Sequence, residues 1–213
     1  MKTIVQLSRR KVMTMLLGTL FSVHGYTQYH VTMGLKNITA DLTTISYDLY
    51  VINDGQDPLF LSACSFGVNL NPAALNGGAL SYTQLADTRD PAFSKLSMYS
   101  LACNQTATYT QARMTSTPVP LTQAVELKEG VSYLVGRFRI CNAVPWHTNT
   151  LAALALHDFS QAGLTATQVV VYGGNSRQLR ALTPAAGTVQ LQTESSPVLH
   201  PDVKDAAQAL PEI

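Results

Sequence analysis

Apolar and polar residues alternate with a period of two along most of the central chain. That period calls for pleated strands, because successive side chains of a strand point to opposite faces. Between Thr44 and Asn53, Ile45, Tyr47, Leu49 and Val51 alternate with Ser46, Asp48 and Tyr50. Between Phe60 and Leu70, one parity holds Phe60, Cys64, Phe66, Val68 and Leu70, and the other holds Ser65, Gly67 and Asn69. Both segments read as half-buried strands. Asn53, Asp54, Gly55, Gln56, Asp57 and Pro58 lie between them. This is a cluster of turn formers in which Asp-Gly suits a tight hairpin through a positive φ. The two strands are expected to be antiparallel neighbours.

The same reading continues down the chain. Asn71 and Pro72 end the second strand, and Asn76, Gly77 and Gly78 form another turn. Residues 79–85 read as a short strand, 87–91 as a loop and 106–114 as a weakly alternating strand. Residues 115–121 carry Pro118 and Pro120, which confines them to an edge or a loop. After a turn at Glu129 and Gly130 comes a long strand, 131–142, with Leu134, Phe138 and Ile140 on one face and Arg137 and Arg139 on the other. Residues 151–159 are apolar and Ala-containing, with a length that favours a strand over a helix. Residues 168–172 are Val-rich and end at Gly173, Gly174 and Asn175; a last short strand covers 188–192. The expected class is all-β: a two-sheet antiparallel sandwich of about nine strands.

Residues 1–28 have the layout of a secretory signal peptide. Lys2, Arg9, Arg10 and Lys11 make a basic start, and an apolar run with Leu16, Leu17, Leu20 and Phe21 follows. Cleavage is expected near Gly25 or Gln28. The run of about 12 residues falls short of the roughly 20 that cross a bilayer. The first cysteine is Cys64, too far along for a lipid anchor. The domain reading is therefore a signal peptide (1–28), a β-sandwich (29–193) and a disordered tail (194–213) containing Pro197, Pro201, Asp202 and Pro211. The expected location is secreted or at the cell surface, with the periplasm as the alternative. No transmembrane segment is expected in the mature protein.

Net charge is +1 and charged residues make up 13% of the chain, so there is no basic field to attract nucleic acid. An exported chain can form disulfides, and Cys64, Cys103 and Cys141 allow three pairings with one thiol left over. Parity places Cys64 in the core and Cys141 outward. No H-x-x-x-H, C-x-x-C or G-x-S-x-G pattern occurs. Asn53, Asp54, Gly55 and Asp57 superficially suggest a calcium loop but lack its spacing. His157 and Asp158 are adjacent, so on a strand they face opposite sides, and His157 reads as structural. Asp48, Asp87, Asp90 and Asp158 are the acids from which a glycosidase pair would have to come. No catalytic residues, metal ligands or cofactor are expected.

Binding residues stay open. Trp146, Tyr50, Tyr82, Tyr99, Tyr109, Tyr133 and Tyr172 could offer stacking rings to a sugar, or could cap the ends of the core. Three segments carry a family resemblance: 45–53, 60–71 with the following Asn76, Gly77, Gly78, Ala79 and Leu80, and 133–146. Across about residues 29–193 the chain resembles secreted bacterial proteins with a cohesin-like or carbohydrate-binding-module-like sandwich, of the kind often exported by the type IX route. The resemblance implies a jelly-roll sandwich and a role in binding, not catalysis. It departs at the end, where the type IX sorting domain is missing after Thr193. The functional expectation is a non-catalytic interaction module for a protein or polysaccharide ligand. The alternatives are a structural matrix or appendage component, or an accessory domain of a larger secreted protein.

Overall fold

Ile45, Tyr47, Leu49 and Val51 are each 1% exposed or less, as their shared parity requires. They stand on the second strand of a computed structural model that describes residues 29–86, 88–96, 99–147, 154–157, 164–173, 177–183 and 189–193. Its twelve strands are β1 (Val31–Ala40), β2 (Thr44–Asn53), β3 (Leu59–Leu70), β4 (Leu80–Gln84), β5 (Ser100–Gln105), β6 (Thr110–Thr115), β7 (Val125–Leu127), β8 (Ser132–Asn142), β9 (Ala155–Leu156), β10 (Gln168–Gly173), β11 (Gln178–Leu182) and β12 (Val189–Thr193). Helical structure among the described residues is limited to short 3-10 turns, at Pro72–Leu75, Pro91–Lys95 and Leu121–Gln123. The expected signal peptide and tail lie outside the described residues.

The strands form two sheets. The first runs β12-β1-β2-β8-β4; the second runs β11-β10-β3-β6-β5, with β7 and β9 also paired to β3. Every pairing is antiparallel except β1 with β12, which is parallel. The inner faces meet in one core that includes Met33, Leu35, Tyr47, Phe66, Met114 and Phe138. The all-β two-sheet architecture is as expected. Strands β1, β5, β7 and β11 lie outside the expected set, and the described residues hold twelve strands where about nine were expected.

One expectation fails at the level of topology. β2 and β3 are not hairpin neighbours; they belong to different sheets. Both edges of β2 are occupied, by β1 and β8, which leaves no ladder for β3. The Asp54–Gly55 segment is therefore a crossover, and Gly55 does not take the positive φ found at Gly77 and Gly130. The Asn53 side chain donates to the carbonyls of Asp57 and Leu127, and the Asp54 and Gly55 amides donate to His30. These bonds direct the chain across the core.

Two face assignments also change, each at a bulge. In β3, Ala63 and Leu61 pair with consecutive residues of β10, so Ser62 is an extra residue. Leu59 and Leu61 thereby point inward together with Cys64, and Phe60 is left on the outer side, half-buried. In β8 the register skips Val135, so Tyr133 and Val135 are core residues and Leu134 is not. Pro118 and Pro120 do mark a break in the sheet, between β6 and β7. Val119, between them, still donates to Ser62.

Cys64 is buried and Cys141 is half-buried on the outer side of β8, as parity expects. Cys103 packs against the core from β5. β6 separates Cys64 from Cys103, a gap of about 9–10 Å between backbones, against the roughly 7 Å limit between the Cα atoms of a disulfide. Cys141 lies in the other sheet. All three are free thiols.

Candidate functional site

A cleft of about 650 Å³ opens beside β4, beneath the connection to β5. The local sequence builds it in steps. Beyond Gln84 the chain keeps its pairing to β8, with the Leu85 amide donating to Arg137 and the Asp90 amide to Leu134. Thr88 Oγ1 donates to the Leu85 carbonyl (2.7 Å) and accepts the Arg137 amide (3.0 Å). Asp90 then caps the Pro91–Lys95 turn, its Oδ1 accepting the Ala92 amide at 2.9 Å. Proline at the first turn position suits this cap, because its missing N–H would be unpaired there. Phe93, fully buried, anchors the turn through an edge contact with Tyr133, centroids 6.2 Å apart.

Aromatic rings back the cleft. The Tyr82 hydroxyl is hydrogen-bonded to that of Tyr47 at 2.7 Å, and both rings stack with Phe138. Tyr99 donates its hydroxyl to the Val135 carbonyl. Burial pushes the hydroxyl pKa of all three tyrosines above the ordinary value, so each is a neutral hydrogen-bonding group. Arg89 lines the cleft with its guanidinium carbon 5.3 Å from the Tyr99 ring centroid. Its Nη1 is enclosed and has no hydrogen-bond partner. No ion pair to Arg89 occurs among the described residues; the Asp48 carboxylate is taken by Arg137. The cleft thus combines one cation, apolar walls at Leu85 and Leu101, and polar groups at Thr83, Gln84 and Ser94.

The residues weighed from sequence divide clearly. Tyr82, Tyr99 and Asp90 come together in the cleft. Trp146 is 4% exposed and caps the core, as does Tyr133. Tyr50 sits on the outer side of the first sheet beneath Lys36, and Tyr172 reaches the Val119 carbonyl. Asp87 and Asp158 lie outside the described residues. His157 is buried; its Nδ1 accepts from Asn69, and its Nε2 has no partner. Asn53, Asp54 and Asp57 form the crossover, and no group of three His, Cys, Asp or Glu suited to a metal occurs among the described residues. Arg89, Gln84 and Ser94 went unanticipated, since none belongs to a motif and Arg89 acquires its setting only from Tyr99 across a loop.

A second, smaller cavity of about 430 Å³ lies at the end of the sandwich, between Leu75, Gly77, Gln105 and Thr110. Its floor carries the Thr110 hydroxyl, buried and without a partner. It offers no charge.

No family model matches the chain, and no curated protein matches it. Among solved structures, the second type II cohesin module from the cellulosomal adaptor ScaA scaffoldin of Acetivibrio cellulolyticus is 10% identical, with a TM-score of 0.39 over 81% of this chain and 99% of that one. A GH20 exo-β-N-acetylglucosaminidase from Vibrio harveyi in complex with N-acetylglucosamine is 13% identical, with a TM-score of 0.31; the match covers 81% of this chain and only 19% of that one.

Proposed function

We propose that this chain is an exported, non-catalytic interaction module that holds a protein or polysaccharide ligand at or near the cell surface. The observation that carries the reading is the β4 cleft. It is a sizeable recess with aromatic backing, apolar walls and one cation that has no carboxylate partner among the described residues. Recognition sites combine an apolar surface with a few placed polar groups in this way. The acid in its lining, Asp90, is occupied structurally as the cap of a turn. The leading segment, with its basic start and short apolar run, supports export.

Two measurements test the reading. The first is fractionation of the native host with mass measurement of the mature ends. A protein at the surface or in the medium, starting near Tyr26 or Tyr29, agrees with it; an uncleaved cytoplasmic protein ends it. The second is capture from surface extracts and polysaccharides with the wild type and with Arg89→Gln. Capture that depends on Arg89 is expected. Capture indifferent to Arg89, or none, overturns the assignment to this cleft.

A further inference from the structure

The parity of β4 decides which of its backbone groups face the cleft. The Leu85 amide bonds to β8, and the Ala79 carbonyl accepts from Ala143, so odd-numbered residues serve the ladder with β8. Even-numbered residues point to the other side, and β4 is the last strand of its sheet. The Leu80 amide on that side donates to Gln105 Oε1 at 3.1 Å, and the Gly78 carbonyl accepts from Gln105 Nε2 at 2.7 Å. A side-chain amide carries the same donor and acceptor as a peptide unit. Gln105 therefore does for Gly78 and Leu80 what a neighbouring strand would do. Two residues further on, the N–H and C=O of Tyr82 and Gln84 face the same side, where the cleft opens and no strand pairs with them. Arg89 stands at that stretch, its guanidinium stacked on Tyr99 with its donors unmatched by a carboxylate among the described residues.

We infer that the cleft receives an extended peptide, which adds to the free edge of β4 through Tyr82 and Gln84 and places a carboxylate on Arg89. This inference rests on the reading of the cleft as the interaction site and narrows its ligand to a protein segment. Strand addition supplies main-chain hydrogen bonds for affinity, and alternate side chains supply specificity. Here the alternate positions meet Leu85 and Leu101 on the wall and Arg89 beside Tyr99. Arginine suits the task because its planar fork matches a carboxylate while the face stays on the ring.

The test is an amide NMR titration with an acetylated, amidated octapeptide of alternating valine and threonine carrying one central aspartate. Saturable shifts at the Tyr82 and Gln84 amides are expected, together with slowed exchange at both. The asparagine counterpart should bind about tenfold more weakly, the loss of one charge-assisted contact. Arg89→Gln should abolish that difference. Gln84→Pro removes an N–H that the ladder with β8 does not use, so the fold should persist while binding is lost. Thermal unfolding of both variants checks that they are folded. Equal binding by a peptide N-methylated on either side of the aspartate would overturn strand addition while leaving the cleft as an interaction site. Absence of any shift at millimolar peptide, with Arg89-dependent capture of polysaccharide, would overturn the peptide in favour of a glycan. Absence of both would remove the cleft reading itself.

Discussion

Asp48 alternates as a solvent-facing residue of β2 but is only 1% exposed. The cause is Arg137 on the paired strand, whose Nε and Nη2 reach the two carboxylate oxygens at 2.6 and 2.9 Å; Asn37 adds a third bond at 2.8 Å. Burial alone would raise the carboxyl pKa, but the hydrogen bonds from Arg137 and Asn37 outweigh it and hold Asp48 below its ordinary value. A group with a depressed folded pKa contributes stability that is complete above its unfolded value, near 3.9. That contribution is lost as pH falls through the lower folded value. Asp48→Asn should therefore weaken the acid limb of a denaturant-midpoint curve and cost about 1–3 kcal/mol at neutral pH. An unchanged acid limb would contradict this account of the pair. The thiols give a second test at this scale. Burial pushes Cys64 up to about 12 and Cys103 up to about 11, whereas Cys141 is half-exposed on an outer face. A disulfide-exchange reagent should label Cys141 first, Cys103 slowly and Cys64 only on unfolding. Three thiols per chain should titrate in guanidinium without reductant, and a lower number would reveal a disulfide that this geometry forbids.

At the scale of elements, Gly67 shows how closely the second sheet is covered. A Cβ there would collide with the Thr165 carbonyl and with the Gln111 side-chain amide. Gln111 in turn bonds Thr165 through both ends of its amide and reaches Asn69. The Thr165 amide can only donate and its carbonyl only accept, which fixes the orientation of Gln111. That orientation fixes Asn69, which must then donate to His157 Nδ1. Gly67→Ala should lift this covering segment off the sheet at a cost of about 1–3 kcal/mol, with faster exchange of the Thr167 amide, which bonds the His157 carbonyl. None of this was legible in a period-two pattern, which reports faces but not what covers them. The same limit explains the face errors: a one-residue bulge at Ser62 or Val135 inverts parity beyond it, and the sequence marks neither bulge. β2 was read correctly because its core side chains keep one parity along its whole length. The β4 cleft was legible only as Tyr82, Tyr99 and Asp90 taken separately; Arg89 gains meaning from a contact ten residues away across a loop.

At the scale of the whole molecule, the sandwich has to protect its edges, because an unpaired strand edge is a template for further pairing. The sandwich has four edges. β4 and β5 face each other at one end, with Gln105 bridging to Leu80, and β4 lies open at Tyr82 and Gln84. β11 is short and carries Arg180, with Arg177 just before it; these cations stack on Tyr29 and Phe60. The fourth side is closed by β12, which lies parallel to β1 and pairs with Val31 through Leu35. Those five pairs cover the stretch of β1 whose residues are all buried and whose Val31, Met33 and Leu35 enter the core. A chain ending at Thr188 would leave that edge open. The truncated chain should unfold at a lower denaturant midpoint, since the five-residue ladder to β1 is lost. The larger effect should be in association, since the bared edge is apolar on its inner face and carries no charge before Lys36. Sedimentation velocity of the truncated chain should show concentration-dependent oligomers where the full chain gives one species. If the truncated chain stays monomeric at high concentration, β12 is dispensable as an edge cover. If the full chain already polymerises, the sandwich is a building unit of a larger assembly and not a solitary binding module.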